Sequence, residues 1–144
     1  MYFPIVKGKA IVKGRKKELG FKGHGENILI IEDEEIVQKM LVRMLRKTNY
    51  KIIFARDVKT AVEIYKRNYK NIDLVLCDMV LPDGNGLEVI KKLNKIKPVK
   101  KVIYTSGYLD IGSRWKEIQE NNIPFIHKPF HMEELLKIIK DTLK

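Results

Sequence analysis

Four groups capable of joint chemistry stand at the ends of apolar runs in this sequence. Ile28-Leu29-Ile30-Ile31 leads into Glu32-Asp33-Glu34-Glu35. The run Leu74-Val75-Leu76-Cys77 stops on Asp78, before a turn-rich loop holding Pro82, Gly84 and Gly86. Val102-Ile103-Tyr104 leads to Thr105-Ser106-Gly107, and Phe125-Ile126-His127 leads to Lys128-Pro129-Phe130. Three gathered carboxylates (Glu32, Asp33, Asp78) repel one another, and one would normally keep its proton. A divalent cation removes that conflict. Mg2+ prefers oxygen ligands, takes one or two carboxylates directly, and keeps waters or phosphate oxygens in the rest of its shell. Lys128 adds a point positive charge and Thr105 a hydroxyl donor. Together these groups suit a phosphoryl group on or near a carboxylate, with an aspartate as nucleophile and an acyl phosphate as product.

Taken singly, each piece has a plainer reading. An Asp after a strand is a turn or cap residue, an acidic run before a helix compensates its dipole, Thr-Ser-Gly is a turn, and Lys-Pro is a bend. What favours the chemical reading is position, because all four pieces fall at the carboxyl ends of strands.

The elements that must position them follow from periodicity. Short Val/Leu/Ile-rich runs closed by turn residues read as buried strands: Ile28–Ile31, Tyr50–Ala55, Ile72–Cys77, Val99–Thr105 and Pro124–His127. Between them lie helical patterns. Ile36, Val37, Met40, Leu41, Met44 and Leu45 form the first, opened by the acidic run. Ala61, Val62, Ile64 and Tyr65 form the second, with Asp57 able to cap it. Leu87, Val89, Ile90, Leu93 and Ile96 form the third, stopped by Pro98. A weaker fourth helix over Leu109–Asn121 has Trp115 and Ile118 as anchors, and Met132–Leu143 is an amphipathic fifth. Strict alternation of five βα units predicts an α/β fold, a doubly wound five-stranded parallel sheet with helices on both faces. In such sheets ligands sit at the carboxyl ends of the strands.

Composition sets bounds on the rest. The 144 residues fit one domain, 27–144, preceded by a basic Gly/Lys-rich extension or linker, 1–26. Cys77 is the only cysteine, so no internal disulfide forms, which suits a reducing cytoplasm. No apolar run approaches a membrane span. The net charge is +11, and residues 1–26 hold seven basic and two acidic residues of it. A basic surface can meet nucleic acid, but no helix-turn-helix, zinc or aromatic-basic signature accompanies it. Lys91, Lys92, Lys95, Lys97, Lys100 and Lys101 read as a solvated helix face.

Ile28 to Asp33, Asp78 with Pro82 and Gly86, Thr105-Ser106-Gly107-Tyr108, and Phe125 to Phe130 resemble, in order, the motifs of the response regulator receiver domain of two-component systems. The resemblance covers residues 27–143. It implies the flavodoxin-like strand order 2-1-3-4-5, with Asp78 as phosphoacceptor. It further implies Mg2+ held by Asp33, Asp78 and the backbone carbonyl of Val80, with Glu32 acting through water. Thr105 would bond the phosphoryl group, Lys128 would pair with it, and the peptide before Pro129 would be cis. Phe125 would be the switch aromatic that turns inward with Thr105, altering the face made by the fourth helix, fifth strand and fifth helix. The same face is the expected site of any phosphorylation-dependent dimer.

The sequence departs from that pattern in places. Glu32 stands where Asp is commoner, and Phe125 where many relatives have Tyr. Val80 is apolar where some fast-hydrolysing relatives carry an amide, which predicts a longer-lived phosphoaspartate.

The expected partner is a histidine kinase or a histidine phosphotransfer domain. The sequence ends at Lys144 after the fifth helix, so no DNA-binding output domain is expected. Tyr2-Phe3-Pro4-Ile5-Val6 resembles the last strand of a histidine-kinase ATP-binding domain, and Thr105–Tyr108 and His127–Phe130 are similar to hybrid-kinase forms. The favoured context is the C-terminal receiver of a hybrid histidine kinase, the alternative a stand-alone regulator that acts by docking. The chain lacks a nucleotide-binding glycine box and a phosphorylatable-histidine helix, so it is not expected to be a kinase, or an enzyme beyond its own phosphorylation and slow dephosphorylation. A haloacid-dehalogenase-type phosphatase needs a second Asp where Val80 stands, and a Walker-type loop is absent.

Overall fold

The computed structural model describes residues 23–107 and 123–144. The strands of its main sheet are β1 (Asn27–Ile31), β2 (Lys51–Ala55), β3 (Leu74–Asp78), β4 (Val102–Ser106) and β5 (Phe125–His127). The helices among the described residues are α1 (Glu35–Leu45), α2 (Val58–Asn68), α3 (Gly86–Ile96) and α4 (Met132–Leu143). The strands lie in the order β2-β1-β3-β4-β5, and every pairing is parallel. The parallel sheet is the one expected from the alternation, and its order is the 2-1-3-4-5 that the resemblance implies. The helix expected over Leu109–Asn121, with Trp115 and Ile118, lies outside the described residues, as does most of the 1–26 extension.

The continuous apolar runs are explained by a core on each face of the sheet. Successive strand residues point to opposite faces. Leu29, Ile31, Val75 and Cys77 therefore face the core built with α2 and α3, which holds Ala61, Tyr65, Leu87, Val89 and Leu93. Ile28, Ile30, Leu74 and Leu76 face the other, built with α1 and α4 and holding Leu41, Leu45, Leu135 and Ile139. A sheet covered on both sides needs apolar residues at every position, and the residues of β3 are all buried.

Three expectations shift, one being that the fourth strand begins at Val102 rather than Val99. Ile36 is 82% exposed. It sits in the first turn of α1, one position before the inward seam of Val37, Leu41 and Leu45, and faces solvent. The third strand begins at Leu74 rather than Ile72. Asp73 instead accepts the Asn27 backbone N–H through its carboxylate at 2.9 Å, closing the lower end of β1. Asp57 caps α2 as expected, accepting from the Thr60 N–H at 2.7 Å, and α3 ends at Ile96, two residues before Pro98. The six lysines from Lys91 to Lys101 are all exposed.

Candidate functional site

Parallel strands deliver their carboxyl ends to one rim, and register decides which residues meet there. In the β3–β4 pairing Asp78 lies opposite Thr105, and in β4–β5 Ser106 lies opposite His127, one residue before Lys128. Glu32 and Asp33 leave the end of β1 directly beside β3. Lys128 reaches inward from the far side. Its Nζ donates to Asp78 Oδ2 at 2.8 Å and to Glu32 Oε1 at 2.6 Å, with Glu34 at 4.0 Å. The Lys128–Pro129 peptide is cis.

Glu32, Asp78 and Thr105 are buried, while Asp33 is half-buried. One carboxylate oxygen from each of Glu32, Asp33 and Asp78 lies within 4.8 Å of the others. The electrostatics reflect that crowding. Burial pushes the Glu32 carboxyl up to about 7; the Asp78 charge adds to the rise and the Lys128 hydrogen bond opposes it. Burial alone would pull the Lys128 ammonium down. Its hydrogen bonds to Asp78 and Glu32 outweigh that, and its pKa lies above the ordinary lysine value. One ammonium thus spans two carboxylates, and the third adds a charge it does not cancel. An all-oxygen donor set with surplus negative charge fits a hard divalent cation such as Mg2+.

The loop after Asp78 is a built piece, more than the open turn its Pro and Gly residues suggest. Val80–Leu81 pairs antiparallel with Gly84–Asn85. The Met79 N–H donates to the Thr105 carbonyl at 2.9 Å, and the Gly86 N–H to the Met79 carbonyl at 3.0 Å. The Val80 N–H donates to Asp78 Oδ1 at 3.1 Å, so the site carboxylate is held from both sides. Asn85 caps α3, accepting from the Glu88 N–H at 3.0 Å. Gly86 is required for close approach: a Cβ there would lie 2.9 Å from the Asp78 carbonyl oxygen and 3.1 Å from the Tyr104 ring.

Phe125 sits one register step from Thr105, opposite Tyr104, and is half-buried. Its ring meets His127 edge-on, with centroids 4.8 Å apart. The rim thus gathers Glu32, Asp33, Asp78, Thr105 and Lys128, and Val80 stands beside them with its side chain half exposed.

Sequence reasoning missed two contributors. Gln38 donates from Nε2 to the Glu32 carbonyl at 2.6 Å, fixing the turn from β1 into α1. Asp83 accepts from the Val58 N–H at 2.9 Å and the Lys59 N–H at 3.2 Å. The only trace of Gln38 in the sequence is its place one turn into α1. Asp83 leaves none, because an aspartate after proline is an ordinary turn residue.

Comparison with known proteins gives the same reading. The profile of the response regulator receiver domain matches residues 28–140. The sensor kinase CckA of Brucella abortus is 29% identical over 117 residues, which are 81% of this chain and 12% of that kinase, so the chain spans a small part of it. The response regulator receiver protein CpdR of the same organism is 25% identical over 118 residues, 82% of this chain and 97% of that protein. Among solved structures, the receiver domain of the hybrid histidine kinase CckA superposes with a TM-score of 0.68 at 26% identity, covering 82% of this chain and 99% of that one. With a family profile running from the first strand into the last helix, the chain belongs to the response regulator receiver domains of two-component signalling.

Proposed function

We propose that this receiver accepts a phosphoryl group on Asp78 from a phosphohistidine of a histidine kinase or phosphotransfer domain. The observation that carries the reading is the Lys128 ammonium held against both Asp78 and Glu32, within a cluster of three carboxylates. In the transfer an Asp78 carboxylate oxygen attacks phosphorus, a P–O bond forms, and the P–N bond breaks with its electron pair returning to the imidazole. Asp33, Asp78 and the Val80 carbonyl would hold Mg2+, with Glu32 acting through water. When bound, Mg2+ supplies positive charge to the oxygens of the moving group. Lys128 meets the same charge from the β5 side, and the Thr105 hydroxyl stands on the neighbouring strand where it can donate to the new phosphoryl group. Thr105 and Phe125, on adjacent strands, would then carry the change to the face bearing β5 and α4. That face is also the proposed site of any phosphorylation-dependent dimer. The chain is an acceptor in this reading, with no kinase activity of its own.

Acetyl phosphate with Mg2+ should label the protein, and Asp78→Asn should abolish the label. An unlabelled wild type that bound DNA with steep salt dependence would favour the basic nucleic-acid-binding alternative.

For context we favour the C-terminal receiver of a hybrid histidine kinase. Support comes from the sequence Tyr2-Phe3-Pro4-Ile5-Val6, the Thr105–Tyr108 and His127–Phe130 motif forms, and the likeness to CckA. The second reading, a stand-alone regulator acting by docking, draws on CpdR, 97% of which is matched.

A further inference from the structure

We infer that Asp83 is a positioning residue that ties the loop carrying Val80 to the first turn of α2, so that the metal-binding arrangement and that helix end become ordered together. The inference rests on the reading of the site proposed above. A helix leaves its first N–H groups without partners inside the helix, and a neighbouring residue usually serves them. In α2 the duty is divided. Asp57 serves Thr60, but Val58 and Lys59 donate to Asp83, which lies 25 and 24 positions further along the chain. Asp83 occupies the tip of the short hairpin whose base is Val80, paired with Asn85. Two residues a side make too small a ladder to hold its own shape. The base is pinned to β4 through Met79 and to α3 through Asn85. The tip is held at Asp83, and Gly84 packs so closely against α2 that a Cβ would lie 3.0 Å from the Val58 side chain.

The consequence for the site follows from preorganisation. A ligand that needs the Val80 carbonyl in place binds more weakly by the fraction of time the loop is elsewhere. Coupling is reciprocal, so a cation that orders the loop also steadies the first turn of α2.

Four proteins test this: wild type, Asp83→Ala, Asp83→Asn and Asp57→Ala, each followed by calorimetric Mg2+ titration and by amide exchange at Val80 and Gly86. Asp83→Ala should weaken Mg2+ binding about fivefold, the loss of one helix-cap interaction, and speed exchange at both amides. Asp83→Asn keeps an oxygen that accepts from Val58 and should recover most of both. Asp57→Ala removes the other cap of the same helix and should lower thermal stability while costing Mg2+ affinity and protection of the two loop amides much less than Asp83→Ala does. In wild type, Mg2+ should also slow exchange at Val58 and Lys59. Unchanged affinity and exchange in Asp83→Ala would overturn the tether, as would an equal loss of affinity in Asp57→Ala, which would place the effect in helix stability. If wild type takes up neither Mg2+ nor a phosphoryl label, the functional reading fails, and exchange at Val80 and Gly86 in Asp83→Ala still decides whether the tether exists.

Discussion

Lys128 and Asp78 meet at 2.8 Å although they enter the site from separate strands and lie 50 residues apart in the chain. The same ammonium binds Glu32 at 2.6 Å, so one side chain balances two buried carboxylates. Removing it in Lys128→Met leaves those charges crowded without a partner. Breaking a buried pair from one side costs about 3 kcal/mol, and the metal-free variant should lose about that much in urea unfolding. Millimolar Mg2+ should close most of the gap by supplying the missing charge. A gap that Mg2+ leaves untouched would show that the cation binds elsewhere.

Burial lifts the Glu32 carboxyl to about 7, against an ordinary value of 4.5. Between those values the folded protein holds a proton that the unfolded chain has released. Stability from this group is therefore complete below about pH 4.5 and is lost as pH rises through about 7. The metal-free wild type should lose stability relative to Glu32→Gln across that window. Mg2+ favours the ionised carboxylate, so binding near pH 6 should release protons and binding at pH 8 should release few. Titration calorimetry in buffers of differing ionisation enthalpy measures that count directly.

Gly86 has no room for a methyl group. The nearest obstruction is the backbone carbonyl of Asp78 at 2.9 Å, which cannot move without shifting the residue proposed to be phosphorylated. Gly86→Ala should destabilise the fold by about 1 to 3 kcal/mol and slow labelling by acetyl phosphate more than a loss of stability alone explains. A variant that melts lower yet labels at the wild-type rate would separate the loop from the chemistry.

Val80 is 49% exposed, so its side chain can be exchanged with little effect on the core. An apolar group there cannot orient a water toward a phosphoaspartate. The label should survive for minutes or more in wild type and decay faster in Val80→Asn, with melting temperature nearly unchanged. A wild-type label that vanished within seconds would end this account of its lifetime.

Much of the arrangement was legible in the sequence because parallel strands leave little freedom. Once Ile28–Ile31, Ile72–Cys77, Val99–Thr105 and Pro124–His127 are read as strands of one parallel sheet, their carboxyl ends share a rim, and Glu32, Asp78, Thr105 and Lys128 gather there. What escaped reading lay where several partners are chemically equal. Asp83 caps a helix 25 positions earlier, and its local sequence would look the same if it capped its own turn. Ile36 fits the helical period yet faces water, because period marks a stripe and cannot say where along it the neighbouring layer stops. Asp73 fell inside the expected strand Ile72–Cys77 and instead precedes β3, closing the lower end of β1 through Asn27.

The strand that delivers Asp78 also carries Cys77, fully buried in the core beneath α2 and α3. Burial pushes its thiol well above the ordinary value, and the charges of Asp78 and Glu32 push the same way. The reactive thiolate is thus suppressed while β3 stays in place, and alkylation has to wait until the central strand is exposed. The lone thiol works as an internal clock. Its modification rate counts openings of the sheet at the residue beside the proposed phosphoacceptor, and a cation or phosphoryl group that steadies the rim would register as a slower tick.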